Sequence, residues 1–220
     1  MNHSFYSPDE NLINIYMNGH KLERLDTCTF LGLKIDKKMN FRSHIDHLSN
    51  KIAKSIGILY KLKSVGTPKS VLKQVYFSIV QSHLNYNICS YASTYPTHLN
   101  HLILLQKRAL RIINNESYLA HTNALFKSNK ILKVQDLYKL NVGIYTYDHI
   151  GMYSRNHEHD TRGANDLISA QSRLRVTSNS IHFTGPQIFN SIPIEIRTKP
   201  TRNSFKYCFK QHLLSQYSNL

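Results

Sequence analysis

A regular spacing of aliphatic residues in the first third of the chain constrains the fold more than any other feature. Large apolar residues recur at intervals of three, four, four and three, which places them on one narrow stripe of a helix. The stripe consists of Ile45, Leu48, Ile52, Ile56 and Leu59. Because other helices must cover such a stripe, residues 43–63 predict the first helix of a bundle.

Further helices are predicted along the rest of the chain. A second helix is predicted to begin with Thr67 as its N-cap and Pro68 in its first turn, and to end where Pro96 breaks it. Apolar spacing then predicts several more helices. They cover approximately residues 97–114, 122–129, 134–152 and 203–217.

The first 40 residues carry the signals of β-structure instead. Asn18-Gly19 lies between apolar-rich segments and predicts a tight hairpin. Residues 30–33 (FLGL) predict a short apolar strand, in which the glycine marks a close approach by another backbone or a ligand. We therefore predict a mainly α-helical fold, with a small N-terminal β-hairpin, a helical bundle and a small C-terminal unit of extended and helical segments.

Composition divides the chain into four predicted parts. The hairpin with its strand comes first, and the helical domain follows. The third part is rich in Ser, Asn, Arg and His and poor in large apolar residues, which predicts a flexible linker. The last part is predicted to begin with an extended segment at 180–183 and a turn at Gly185-Pro186. The four parts are residues 1–40, 41–152, 153–180 and 181–220.

The chain is strongly basic, with 28 Lys and Arg against 13 Asp and Glu and a net charge of +15. This imbalance favours a polyanionic partner, because cations that bind phosphates release counterions. Between residues 41 and 115, the only acidic residue is Asp46. Three predicted helices there carry cations beside their apolar stripes, which suits contact with a sugar-phosphate backbone. The candidate nucleic-acid-binding residues are Lys51, Lys54, Lys61, Lys69, Lys73, Lys107, Arg108 and Arg111.

Other interpretations of this basic face stay open. The cations can be ordinary solvated residues, or they can serve a helical adaptor that binds a protein or an anionic membrane surface. No apolar run approaches the roughly 20 residues of a membrane span. Three further lysines are predicted to lie outside the face. They are Lys127, Lys130 and Lys133.

Motifs for metal binding, disulfides and secretion are weak or missing from the sequence. His44 and His47 are three apart on a predicted helix, as are His98 and His101, but neither pair has an evident third ligand. The cluster at 157–160 (HEHD) would bind a metal weakly. Three widely spaced cysteines and the lack of a signal peptide predict an intracellular protein, nuclear or cytoplasmic and not secreted. The cysteines are Cys28, Cys89 and Cys208.

Four short blocks together resemble one protein family. Residues 43–45 (SHI), 106–113 (QKRALRII) and 183–193 (FTGPQIFNSIP) are three of them. In this order they are similar to blocks in the reverse transcriptases of jockey-like non-LTR (LINE-type) retrotransposons. The resemblance covers nearly the whole chain and implies the end of the palm, the thumb and a C-terminal extension. The fourth block, similar to the primer-grip strand of the family, is Phe30, Leu31 and Gly32.

The sequence also departs from that family. Its catalytic palm carries an aspartate pair, and no two aspartates are adjacent in this chain. Two-metal phosphoryl transfer needs such carboxylates, so we predict that the chain alone does not polymerise DNA and has no cofactor of its own. Mg²⁺ is expected only for a full-length parent enzyme. The predicted partners are an RNA–DNA hybrid or a DNA duplex, and a separate catalytic palm. The alternatives are the adaptor described above and a non-functional relic of a mobile element.

Overall fold

The computed structural model describes residues 14–153, 166–168 and 175–218. Two short antiparallel strand pairs precede a set of packed helices, which confirms the predicted mainly α-helical fold. The strands are β1 (Tyr16–Met17), β2 (His20–Lys21), β3 (Thr27–Phe30) and β4 (Leu33–Asp36). The first helices are α1 (Arg42–Ser64), α2 (Lys69–Tyr76), α3 (Ser82–Asn85), α4 (Ile88–Tyr91) and α5 (Pro96–Asn114). They are followed by α6 (Asn123–Ser128), α7 (Val134–Asp148), α8 (Arg175–Ser178), α9 (Ile181–Asn190), α10 (Ile194–Arg197) and α11 (Arg202–Ser215).

The β-structure consists of two hairpins instead of one hairpin and one strand. Strands β1 and β2 pair across Asn18-Gly19 as predicted, with φ angles of 51° and 79° that suit a two-residue hairpin turn. Strands β3 and β4 also pair, and Leu31-Gly32 is the turn between them, with φ angles of 45° and 76°. The predicted strand over 30–33 is therefore wrong. Its glycine is required by a left-handed backbone rather than by a strand interior.

Helix α1 confirms the prediction from the apolar stripe, because all five stripe residues are buried. The Asp36 carboxylate fixes the connection from β4 to α1. Its Oδ1 accepts hydrogen bonds from the backbone N–H groups of Lys38 and Asn40, at 3.0 and 3.2 Å. Its Oδ2 accepts one from the N–H of Phe41, at 2.7 Å. Asp36 thus satisfies three donors in the loop before the helix.

The second predicted helix is broken into several pieces. Helix α2 passes into a π-helical turn over Phe77–Gln81 and then into α3, and Asn87, with φ of 51°, separates α3 from α4. The predicted N-cap is also wrong, since Pro68 precedes α2 and no side chain caps it. The π-helical turn packs against α1, where the Ser55 hydroxyl lies 3.2 Å from the carbonyl oxygen of Ile79. π-helical turns are rare in proteins overall, and those that occur are often found at functional sites.

A buried glutamine on α5 ties the helices of the bundle together. The Gln106 side chain is fully buried, and its Nε2 donates hydrogen bonds of 3.1 Å to the Tyr76 hydroxyl and to the Leu132 carbonyl. Its Oε1 accepts one of 2.9 Å from the N–H of Val134. One side chain therefore joins α5, α2 and the start of α7.

The beginning of the C-terminal part differs from the prediction. The prediction of an extended segment at 180–183 is wrong, because Ser180 directly precedes α9 and the next three residues belong to its first turn. The predicted turn at Gly185-Pro186 is also wrong, because both residues lie inside α9. Tertiary packing explains the glycine. A Cβ at Gly185 would lie 2.6 Å from Thr146 Oγ1 and 3.0 Å from the Tyr153 hydroxyl, so only glycine lets α9 approach α7 this closely.

Most of the predicted linker, residues 153–180, lies outside the described residues. Within it, Tyr153 and Leu167 are buried, and the Asn190 side chain makes two hydrogen bonds of 2.9 Å to the backbone N–H and carbonyl of Leu167. The buried residues on both sides of the segment belong to one apolar cluster. The division into four domains stays a prediction. In the part of the chain that the structure describes, no helix is both long and apolar enough to cross a bilayer.

Candidate nucleic-acid interface

The cations of α1 form an exposed group with one residue that the sequence analysis missed. Lys51, Lys54 and Lys61 are exposed on α1, away from its buried stripe. Burial, followed by the charges of Lys34, Lys51 and Lys54, lowers the pKa of His47, which shows that these groups are neighbours. Lys34 comes from β4 and joins the cluster only through the fold. Helical periodicity does not predict the position of Lys34, because this residue lies in a strand.

The cations of α5 form a second group. Arg108 is exposed, whereas Lys107 and Arg111 are half-buried. Arg111 is partly engaged, because its Nε donates a 3.0 Å hydrogen bond to the Ala120 carbonyl and its guanidinium lies 5.8 Å from the centre of the Tyr118 ring. Lys107 lies near Lys133, whose pKa is lowered by burial and, against the opposing effect of Asp136, by the charge of Lys107.

The cations of α2 belong to a third group, to which α11 and the segment before α7 also contribute. Lys69 is exposed and Lys73 is half-buried. Lys73 lies within electrostatic reach of Lys210 on α11, together with Lys130 and Lys206. The two α11 lysines are not among the predicted residues, although their spacing of four residues places them on one face of a helix.

The eight predicted residues are therefore distributed over three basic groups. The structure gives each group additional members from distant parts of the chain. It also changes the status of two lysines predicted to lie outside the basic face, because Lys130, like Lys73, lies within electrostatic reach of Lys210, and Lys133 lies within reach of Lys107. A charge control must therefore use other positions.

The residues predicted to resemble a primer grip lie at the tip of the β3–β4 hairpin. Phe30 and Leu31 are exposed, at 63% and 72% of their surface. The tip is held from behind, since the Tyr86 hydroxyl donates a hydrogen bond to the Leu31 carbonyl. The Tyr86 ring would lie 3.5 Å from a Cβ at Gly32. The neighbour is therefore a side chain at an ordinary van der Waals distance and not another backbone, so it is the positive φ of Gly32 that requires glycine.

The surroundings of His44 are those of a residue in the protein core and not those of a metal ligand. It is buried on α1, its Nδ1 accepts a 3.3 Å hydrogen bond from the N–H of Lys34, and its ring lies 5.2 Å from that of Tyr91. Burial, and then the charges of His47, Lys51 and Lys34, lower the pKa of His44 to about 4. Among the described residues, no three His, Cys, Asp or Glu side chains are placed to hold a metal ion; the 157–160 cluster lies outside them.

The lowered pKa of His44 predicts a loss of stability in acid. The folded state keeps His44 neutral down to about pH 4, whereas the unfolded chain protonates it near its ordinary pKa of about 6.5. The unfolded state therefore binds more protons in this window, and stability falls as the pH is lowered through it. We expect His44 to account for a loss of about 2–3 kcal/mol between pH 7 and pH 4.

Urea unfolding of the wild type and of His44→Asn at both pH values measures this contribution as a difference. The variant should lose correspondingly less stability on acidification, since asparagine keeps an acceptor for Lys34 and does not titrate. The exposed His101→Asn serves as control and should follow the wild type. Equal acid sensitivity of wild type and His44→Asn would contradict the assignment.

The described residues thus form a mainly helical structure that carries three groups of basic side chains. A segment of 127 residues, 56% of the chain, is 23% identical to the RNA-directed DNA polymerase from mobile element jockey of Drosophila melanogaster. A segment of 126 residues, also 56%, is 28% identical to the protein of the same name from Drosophila funebris. Each match covers 14% of the length of that relative.

The chain is thus distantly related to a retrotransposon RNA-directed DNA polymerase, that of the non-LTR element jockey. No family model and no solved structure matches it.

Proposed function

We propose that these 220 residues act as a thumb-like, nucleic-acid-binding part of a non-LTR retrotransposon reverse transcriptase. They would hold the template-primer duplex and place the primer end for a catalytic palm. The observation that carries this proposal is the exposed cation group of α1, which Lys34 of β4 extends. The distant relation to a jockey polymerase supports it.

The α1 group suits the backbone of a duplex. Lys51, Lys54 and Lys61 stand on one helix whose other face is buried in the core, so the backbone positions of these three residues are fixed relative to one another. Within the described part of the chain, none of Lys34, Lys51, Lys54 and Lys61 makes an ion pair with a carboxylate. Such contacts would position the duplex without reading its sequence.

The tip of the β3–β4 hairpin suits a role beside the primer end. Phe30 and Leu31 expose apolar surface, and the tip is fixed from behind by Tyr86. The hairpin also leads directly into α1 through the Asp36 loop. We propose that the tip contacts the primer while α1 contacts the phosphates behind it.

We assign the chemical step to another part of the polymerase. Transfer of a nucleotide needs carboxylates that hold two metal ions, and the 220 residues contain no adjacent pair of aspartates. The proposed role is therefore binding and positioning, with Mg²⁺ bound by the catalytic part.

The salt dependence of duplex binding tests the proposal. With four to six phosphate contacts, log K should fall with log salt at a slope of roughly −4 to −5 for a B-form duplex. The triple variant Lys51→Ala/Lys54→Ala/Lys61→Ala should flatten this slope by up to about 3 units. Its fold should be unaffected because all three side chains are exposed. Fluorescence anisotropy with a labelled primer-template, over a series of salt concentrations, measures both values.

The control removes the same charge from scattered exposed positions, in Lys21→Ala/Lys38→Ala/Lys127→Ala. These residues lie on β2, in the Asp36 loop and on α6, outside the three basic groups. If both triples weaken binding equally, the effect is one of net charge and α1 is not a duplex-binding face. If neither a DNA duplex nor an RNA–DNA hybrid binds near physiological salt, the adaptor or the non-functional relic becomes the better explanation.

A further inference from the structure

A cavity of about 440 Å³ opens on the side of the molecule that carries the α2 and α11 lysines. Its walls come from the π-helical turn with α3, from α7, from α11 and from the segment before α7. Its volume lies in the range of about 300–1,000 Å³ that is usual for pockets of small ligands. Neither the α1 group nor the hairpin tip contributes to it.

The mouth of the cavity is strongly positive. Lys130, Lys206 and Lys210 line it, and Lys73 lies close to Lys210. Asp148 is the only carboxylate among the described residues that line it, and it is already paired with Arg202 at 2.8 Å. Burial, and then the charges of Lys206, Lys73 and Lys130, lower the pKa of Lys210. These like charges repel one another, and an anion bound between them would relieve the repulsion.

Another part of the cavity lining has a different chemistry, aromatic and amide. The π-helical turn places Phe77 and Gln81 on the cavity. Phe77 is 38% exposed, whereas Gln81 is 8% exposed and its Oε1 has no hydrogen-bond partner. A buried acceptor without a partner is rare and calls for an explanation. Tyr145 of α7 adds a second ring to the wall.

We infer that this cavity binds one unpaired nucleotide of a nucleic-acid strand, with the phosphate among Lys130, Lys206 and Lys210 and the base beside Phe77. Every base has a face that stacks on an aromatic ring, and an N–H group that can donate a hydrogen bond to Gln81 Oε1 once this buried side chain turns towards the cavity. The inference rests on the proposed function and deepens it. It gives the protein a second contact, to a single strand, apart from the α1 contact to the duplex.

Single-strand binding by the full chain tests this inference. The probes are a short fluorescein-labelled single-stranded DNA, the same strand with abasic sites, and a blunt-ended duplex of the same sequence. We expect Lys206→Ala/Lys210→Ala to weaken single-strand binding about tenfold and duplex binding much less. Gln81→Leu should weaken single-strand binding about threefold to tenfold. The loss of single-strand affinity in Gln81→Leu should be the same at every salt concentration, because glutamine is uncharged.

The variants separate a nucleotide site from net charge and from misfolding. Gln81→Leu replaces an amide whose buried Oε1 has no partner by an apolar side chain of similar shape, so the thermal stability of the variant should equal or exceed that of the wild type. Lys21→Ala/Lys38→Ala removes the same charge as the α11 double variant and should leave single-strand binding within about twofold. The abasic strand should bind the wild type about tenfold more weakly than the normal strand.

The inference is overturned if the α11 double variant and Gln81→Leu are folded and bind the single strand like the wild type. It is also overturned if AMP occupies the cavity as tightly as the strand does, since the site would then serve free nucleotides. Neither result affects the proposed role of α1. That role fails separately, if the α1 triple variant leaves the salt slope of duplex binding unchanged.

Discussion

Replacement of Gln106 by leucine is expected to lower the free energy of unfolding by about 3–6 kcal/mol, a large part of the stability of a typical domain. The substitution preserves the volume of the side chain but removes all three of its hydrogen bonds. The Tyr76 hydroxyl, the Leu132 carbonyl and the Val134 N–H then remain buried without the hydrogen bonds that Gln106 makes to them. Each buried group that loses its partner costs about 1–3 kcal/mol. Urea unfolding followed by circular dichroism measures the loss.

Two further variants make this prediction specific. Gln74→Leu alters an exposed glutamine on α2 and should change stability by no more than about 0.5 kcal/mol. Tyr76→Phe removes one of the three bonds and should cost about 1 kcal/mol. A loss below about 1 kcal/mol in Gln106→Leu would show that the glutamine does not hold α2, α5 and α7 together.

The second large effect is expected where α11 packs on α7. A Cβ at Gly143 would lie 2.7 Å from Cε1 of Phe209, which is itself buried. Alanine gains about 1 kcal/mol in helix propensity, but relief of the overlap requires a shift of the ring or of the helix. We therefore expect Gly143→Ala to destabilise the protein by a net of about 1–3 kcal/mol, measured by thermal or urea unfolding.

Helix α1 supplies a matched control for this substitution. A Cβ at Gly57 meets no atom within 4 Å, so Gly57→Ala should be neutral or stabilising by up to about 1 kcal/mol. The combination Gly143→Ala/Phe209→Leu should recover part of the loss, because leucine vacates the space of the ring. If Gly143→Ala stabilises the protein as Gly57→Ala does, α11 does not pack on α7 as described.

The block at residues 106–113 illustrates how one stretch serves both fold and surface. Its first residue, Gln106, is the buried connection between helices, and Ala109 is completely buried. Lys107, Arg108 and Arg111 lie on the opposite arc. The sequence analysis identified the outward cations from helical periodicity. It did not identify the role of Gln106, because the partners of this glutamine lie 26 to 30 residues away along the chain.

The sequence by itself determined the elements whose signal is local. The apolar stripes of α1, α5, α7 and α11 repeat within each helix, and the Asn18-Gly19 turn requires only its own backbone angles, so neighbouring residues suffice to predict them. Net charge and the outward position of the α1 lysines follow in the same way.

Only the tertiary structure decided the features that depend on distant segments. The Gly185-Pro186 pair has the composition of a turn, yet it lies within α9, where the packing against Thr146 and Tyr153 leaves room at position 185 for glycine alone. The group of Lys73, Lys130, Lys206 and Lys210 spans much of the chain and exists only because the fold brings α2, α11 and the segment before α7 together. Periodicity fixes which face of a helix is apolar, whereas the packing of the core fixes which helices share that face.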